Sequence, residues 1–434
     1  MPEASELTSA HAFHPLDISA TAFWEKDFRN RDDTFAELRA VDGLTWHRPA
    51  ESMFPHEEAG YWAVTRHADI RHVSQHPELF SSSNGISMDP MPAEIQRSMT
   101  FFLTMDPPEH TRYRRLISMA FTPKQVRRIE AQIGANAKRI VGELLDDLDS
   151  GAPVDFTDAV SKKLPMLTIS EMIGIHPDEH EAVAFAAESV FSASDDEYAG
   201  GLEEQAVFLM TQLGILTGAG VELAKKRRVD PRDDLMTNIV NAEVDGHRLT
   251  DDEIGAFMVL LGSAGNDTTK QTTSHAFKAL IDNPDQRRWL LEDLEGRIGG
   301  AVDEFIRWST PVISFARHAA VDTELAGTPI AAGEKVVLFY CSGNFDHEVF
   351  DDPYRFDLDR FPNPHVGFGG GGPHFCLGKQ LAVMELTHLF TELLTRLPDV
   401  ELGDPEYVRS DFVHGVKRMP IRRVAGSNRV SWPE

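Results

Sequence analysis

Cys376 sits in the run Phe368-Gly369-Gly370-Gly371-Gly372-Pro373-His374-Phe375-Cys376-Leu377-Gly378, directly before an apolar, helix-like stretch from Lys379 to Leu397. Glycines permit backbone conformations and close approaches that side chains forbid. A loop of this kind can lie flat against a large planar group and aim one thiolate at it. A thiolate is a strong ligand for haem iron and favours O–O cleavage. The same run also suits a surface turn around a buried cysteine. The chain's other cysteine, Cys341, follows the strand-like Val336-Val337-Leu338-Phe339-Tyr340 and reads as a packed core residue. With two cysteines there is no disulfide framework, and a reducing, cytoplasmic setting is expected. His365, His374 and Cys376 lack the tight spacing of a zinc site.

A second constellation is Ala264-Gly265-Asn266-Asp267-Thr268-Thr269, inside a helical pattern at 251–283 and downstream of the greasy run Ile254 to Leu261. Gly, Asn, Asp and Thr are poor choices for a buried helix interior. Grouped here they offer an acid and a hydroxyl to a buried site that needs protons. Ala264 and Thr268, at i and i+4, share a face. The competing expectation is an N-cap at Asp267 or Thr268 that splits the pattern into two helices. Third, Glu304 and Arg307 are spaced to pair on one helix face, and Arg360 could join them in a buried network just before the glycine loop.

The elements that must position these groups are mostly helical. Helices are expected from Asp32 to Val41 and His67 to Gln75, and at 123–148, 158–174, 202–228, 251–283, 298–308 and 378–397. Gly60 to Thr65 reads as a short strand. Strands at 323–330 and 335–341 read as a hairpin around Ala331 to Gly333. Ser81 to Met105, with Pro90, Pro92 and Phe101-Phe102-Leu103, reads as a loop or partly helical lid. The chain has 434 residues with no linker or repeat, so one large unit is expected at 17–425, flanked by loose ends at 1–16 and 426–434. No stretch approaches eighteen uninterrupted apolar residues, so no membrane anchor is expected. Against 42 basic residues stand 69 acidic ones, a formal net charge of -27 that disfavours nucleic acid and anionic membranes. Yet Arg112, Arg114, Arg115, Lys124, Arg127, Arg128, Lys138 and Arg139 face only Asp106, Glu109 and Glu130 between Asp106 and Ile140, a local basic patch suited to an acidic partner or anionic cofactor groups.

Taken together, these motifs resemble the cytochrome P-450 haem-thiolate monooxygenases, in their soluble bacterial branch, from about Asp17 to Arg422. The resemblance implies a mainly α fold with a small β region, a triangular helical prism, and haem b as cofactor. Cys376 would ligate the iron, within a haem-binding loop that runs from Phe368 to Gly378. Ala264 would lie against the haem, and Asp267 and Thr268 would be the acid–alcohol pair that relays protons during oxygen activation. Glu304, Arg307 and Arg360 would be the structural triad beneath the haem loop. The segment Asp106-Pro107-Pro108-Glu109-His110-Thr111-Arg112-Tyr113-Arg114-Arg115 is similar to the family's propionate-binding helix. His110, Arg114, Arg317 and His374 would then hold the haem propionates.

The resemblance also implies O2 and a hydrophobic substrate, lined by Phe101, Phe102, Leu103, Leu260, Leu261, Val312, Phe315, Phe412 and Val413. Phe368 lies eight residues before Cys376 rather than the commoner seven, so the loop carries an extra glycine, as in some members that oxidise sterols and branched lipids. The turn Asp411-Phe412-Val413-His414-Gly415-Val416-Lys417 resembles the substrate-contacting turn of the same members. Both features favour a sterol side chain, branched fatty acid or terpenoid. The alternatives are a macrolide, aromatic or other secondary metabolite, or peroxygenase or isomerase chemistry. No nicotinamide- or flavin-binding fingerprint is present, which implies electrons from a separate ferredoxin and ferredoxin reductase, docking near Arg112 to Arg128. Val383 stands where the family often has arginine.

Overall fold

In a computed structural model, which describes residues 11–120, 123–193, 195, 197 and 201–424, one helix runs unbroken from Asp251 to Asp282. Its start is fixed by a capping box. The Glu253 amide donates to Thr250 Oγ1 at 3.3 Å, and the Thr250 amide donates to Glu253 Oε2 at 2.7 Å, satisfying two otherwise orphaned donors. The weak segment around Asp267 does not split it. Ser263, Thr268 and Thr272 each turn their hydroxyl back to a carbonyl one turn earlier, at 2.7, 2.9 and 3.0 Å. These polar side chains are satisfied inside the helix rather than by ending it.

Among the described residues, Ala93–Thr100, Lys163–Ile173, His180–Ser192, Leu202–Val229 and Leu294–Ser309 make the most extensive packing against this central helix. Gly265 is where close packing demands a bare backbone, since a Cβ there would come within 2.6 Å of Ile169 Cδ1. The helix after the cysteine, Lys379–Arg396, packs on Pro123–Asp149. A single large apolar core joins these helices.

Among the described residues, the β region is one five-stranded sheet with three small satellites. Its order is Thr45–His47, Tyr61–Val64, Lys335–Phe339, Ser314–Ala319, Phe80–Ser81, with Tyr61–Val64 and Lys335–Phe339 parallel. Lys335–Phe339 is buried on both faces. Val336 and Leu338 enter one core cluster, and Val337 and Phe339 enter the other. That explains its continuous apolar reading.

Several expectations change. The hairpin turn is at Ala326-Gly327, where Thr323–Leu325 pairs with Thr328–Ile330, and Lys335–Phe339 instead pairs with two distant strands. The 158–174 pattern opens as a π-turn at Thr157–Ser161 before its helix. Helices at His180–Ser192, Leu235–Asn241 and Pro284–Glu292 lie outside the helical patterning, whereas Glu109–Ala120 is a helix where the resemblance implied one. The lid segment holds a helix at Ala93–Thr100 followed by a 3-10 turn at Phe101–Thr104. Of the flanking stretches, 1–10 and 426–434 lie outside the described residues. His11 hydrogen-bonds Glu334 at 2.6 Å, and the His14 amide donates to the Trp46 carbonyl at 2.8 Å.

Candidate active site

The glycine loop is shaped by the end of the His67–Gln75 helix. A Cβ on Gly370 would stand 2.6 Å from Ser74 Oγ, and one on Gly372 would stand 2.1 Å from the Ser74 carbonyl. Gly369, Gly371 and Gly372 all have positive φ, which glycine adopts without steric cost. The Gln75 side-chain amide donates to the Gly370 carbonyl at 3.0 Å, and the Cys376 amide donates to the Phe368 carbonyl at 3.1 Å. Neither Ser74 nor Gln75 carries a sequence signal for this role. Their contribution is visible only in three dimensions.

Cys376 is accessible to solvent yet packed among enough protein atoms that burial raises its thiol pKa. The amides of Gly378 and Lys379 and the cationic side chains of Arg114 and Lys379 act in the opposite sense, favouring thiolate. Phe368 and Phe375 flank the sulfur's loop, and Lys379 Nζ lies 5.5 Å from the Phe368 ring centroid. Cys341 is different in kind. It is fully enclosed, and burial pushes its thiol up to about 12, as befits an inert core residue.

Beside the loop lies a cluster of buried nitrogen donors. The His110 and His374 rings are 4.2 Å apart. Burial, reinforced by Arg114 and Arg317, holds His110 near pKa 4 and His374 near 2, so both are neutral at ordinary pH. His374 Nε2 is 3.2 Å from Ser82 Oγ. Both ring nitrogens of His110 and Nδ1 of His374 are buried without a hydrogen-bond partner. Arg114 donates to the Pro373 and Phe375 carbonyls at 3.0 and 2.7 Å, and Arg317 to the Ala316 carbonyl at 2.6 Å. Two guanidiniums that, among the described residues, hydrogen-bond only carbonyls, beside three imidazole nitrogens with no partner there, are suited to an anionic ligand. A planar group bearing carboxylates, with a metal facing Cys376, fits this donor set.

On the central helix, Leu261, Ala264 and Thr268 are half-buried along one face, as are Gly265 and Asn266 beside them. Asp267 lies behind that face, 2% exposed. Burial raises its carboxyl to about 6, against the pull of Lys270 and the Gln271 amide and with the push of Glu188. Gln271 Nε2 donates to Oδ1 at 2.9 Å, while Oδ2 has no partner. Lys270 is itself buried and pairs with Glu188 of the His180–Ser192 helix. The spacing of Lys270 three residues after Asp267 is legible in sequence, but its burial is not.

The apolar candidates fall into two groups. Val312 and Val413 meet in an isolated antiparallel bridge, and the Phe315 and Phe412 rings are 5.3 Å apart. Phe412 also meets Phe191, 4.8 Å away, a residue that carries no sequence signal for the site. Phe101 and Phe102 are 3% and 4% exposed and pack against Tyr113, Phe257 and His110. They are the inward-packed end of the lid segment, with Leu103 half-buried beside them.

Beneath the loop, Arg307 and Glu304 are fully buried and joined by two bonds, at 2.7 and 2.8 Å. Arg360 Nε lies 3.3 Å from Glu304 Oε2. Glu304 also accepts from the Asp357 amide and the Asn363 side chain, at 3.0 and 3.1 Å. Arg307 donates to the Asn344, Pro353 and Arg355 carbonyls. Glu304, Arg307 and Arg360 therefore pin an irregular segment that leads into the glycine loop.

Comparison with known proteins agrees with this geometry. The family model for Cytochrome P450 matches residues 216–398. A methyl-branched lipid omega-hydroxylase of Mycobacterium tuberculosis is 37% identical over 407 residues, covering 94% of each chain. A steroid C26-monooxygenase of Mycolicibacterium smegmatis is 36% identical over 90% of each. A Mycobacterium marinum cytochrome P450 solved in complex with pseudoionone superposes with a TM-score of 0.91 at 49% identity, over 95% of this chain and 100% of that one.

Proposed function

Because the chain belongs to the cytochrome P450 family, a family of haem b monooxygenases, we propose that it hydroxylates the terminal methyl of a methyl-branched aliphatic chain. Bound at Cys376, haem b supplies the chemistry that inserts one oxygen atom of O2 into a C–H bond. The protein's own residues do the rest. We assign Cys376 as the iron ligand, with Phe368 and Gly378 shaping its loop. His110, Arg114, Arg317 and His374 would hold the propionates, and Ala264 would pack against the haem.

Thr268 places a hydroxyl where it can leave the Ala264 carbonyl and donate toward the reacting centre. Asp267, poised near pKa 6, resupplies that proton. Leu261, Val312, Phe315, Phe412 and Val413 exclude water and orient the chain end, with Phe101, Phe102 and Leu103 closing the lid side.

The observation that carries the substrate reading is the apolar wall in which Val312 bridges Val413 and the Phe315 and Phe412 rings meet. The relatives named for a methyl-branched lipid and for steroid C26 support it. Both names point to a hydrocarbon end rather than a ring. A second, isoprenoid reading has its support in the neighbour solved with pseudoionone.

Electrons are assigned to a separate ferredoxin. Arg115, Arg127, Lys138 and Arg139 are exposed along Glu109–Ala120 and Pro123–Asp149, although Asp245 and Glu143 partly neutralise Arg115 and Arg139. The test is an absorbance titration of the ferric enzyme with a methyl-branched fatty acid, a sterol, an acyclic terpenoid and a straight-chain acid, followed by product analysis. A saturable spin shift and terminal hydroxylation with branched ligands are expected. An equal response to the straight-chain acid, or ring oxidation, would overturn the reading.

A further inference from the structure

The Leu202–Val229 helix presents an unusual outer face. Its inner residues Leu209, Leu213, Leu216, Leu223 and Ala224 are buried, and the helix packs on the central and His180–Ser192 helices. Outward it shows Val207 at 63%, Met210 at 49% and Ile215 at 43% exposure, with Phe185 of the neighbouring helix at 49%. From Gln205 to Val221 there is no charged residue, in a chain of net charge -27. Among the described residues this helix, from Glu203 to Val229, is also the one long and apolar enough by composition to cross a membrane. Its inner face, however, is committed to the core.

The pattern along that face is symmetric about Gly214. With a turn of about 100° per residue, Glu203, Val207, Met210, Gly214, Gly218 and Lys225 fall within about 40° of one line. Glu203 precedes Gly214 by the same distance that Lys225 follows it, and Met210 and Gly218 are likewise equidistant. A Cβ on Gly214 or Gly218 would touch nothing within 4 Å. Packing within this chain therefore does not require glycine there, although each costs a helix about 1 kcal/mol relative to alanine.

We propose that this face is an isologous interface with a second copy of the chain, two antiparallel Leu202–Val229 helices crossing at Gly214. The two-fold operation sets Glu203 of one copy against Lys225 of the other, twice. It sets each Met210 over the bare backbone at the partner's Gly218, and Val207 against the partner's Val221. Self-complementary charge and shape are what a two-fold contact requires. A lipid surface would match the apolar centre, but it would not match an acidic end and a basic end equally. Lys225 now pairs with Glu222 within its own helix at 2.8 Å, half-exposed, a contact weak enough to be exchanged for Glu203 of a neighbour.

Sedimentation velocity on the haem-loaded, full-length protein tests this, with absorbance and circular dichroism confirming that each variant is folded. Wild type should show a concentration-dependent monomer–dimer equilibrium, and Met210→Glu should be monomeric. Glu203→Lys and Lys225→Glu should each weaken the dimer by about tenfold, roughly 1.4 kcal/mol. An equimolar mixture of the two should associate again, because each heterodimer contact regains opposite charges. A wild type that stays monomeric at every attainable concentration would overturn the proposal, as would a dimer indifferent to Met210→Glu. So would binding of the monomer to zwitterionic vesicles that Met210→Glu abolishes, which would assign the face to lipid instead.

Discussion

Lys270 Nζ lies 3.9 Å from Asp267 Oδ1, one turn along the same buried helix, and its other partner is Glu188. Asp267 is thus balanced between a cation that favours its ionised form and an acid that opposes it. Replacing Lys270 with Met removes the favourable charge, so the Asp267 carboxyl should rise further above 6. Replacing Glu188 with Gln should lower it. The pH profile of coupled turnover should move in opposite directions in the two variants. Parallel shifts would mean that Asp267 does not control proton supply.

Thr268 donates its hydroxyl to the Ala264 carbonyl at 2.9 Å. Thr268→Val keeps the shape and deletes the donor. Product formed per electron pair should fall by about a hundredfold or more, with the missing equivalents recovered as hydrogen peroxide. A coupled Thr268→Val enzyme would remove this residue from the relay.

Much of this site is legible in the amino-acid sequence. Cys376, Asp267 and Thr268, Glu304 and Arg307 are spaced along single loops or helices, so chain order alone places each group with its immediate partners. What the sequence hides is packing between distant segments. Ser74 and Gln75 look like ordinary helix-end residues until Gly370 and Gly372 are seen against them. Phe191 gains meaning only from Phe412. The misplaced hairpin has the same origin. Proximity along the chain pairs Lys335–Phe339 with the segment just before it, but its partners are Tyr61–Val64 and Ser314–Ala319, and strand pairing is not a local property.

Glu304 serves Arg307, Arg360, Asn363 and the Asp357 amide at once, with no exposure of its own. Glu304→Ala leaves Arg307 as an unpaired buried cation, which typically costs about 3–5 kcal/mol. Loss of folded, haem-retaining protein on expression is expected. A Glu304→Ala protein with wild-type melting temperature and haem content would contradict the network's importance.

Glu385 offers a pH test that needs no substrate. Burial raises its carboxyl from 4.5 to about 8, partly offset by the Thr168 and Thr269 hydroxyls. A carboxyl whose folded pKa is raised favours the folded state most below its unfolded pKa, and that benefit is lost as pH rises through about 8. Compared with wild type, Glu385→Gln should therefore gain relative melting temperature between pH 6 and pH 9. Parallel melting curves across that range would show that the folded carboxyl is already ionised below pH 6, as it is in the unfolded chain.

The Arg307 guanidinium gathers the carbonyls of Asn344, Pro353 and Arg355, which lie in a stretch without repetitive backbone pairing. One side chain there does the work that a ladder of hydrogen bonds does in a sheet. Such a stretch has a fixed length. Adding or deleting one residue between Asn344 and Arg360 would carry at least one carbonyl out of reach and displace everything downstream, including the approach to Cys376. A change of length in this chain is better absorbed in the turns between outer helices, while this passage tolerates exchanges of residue but not of count.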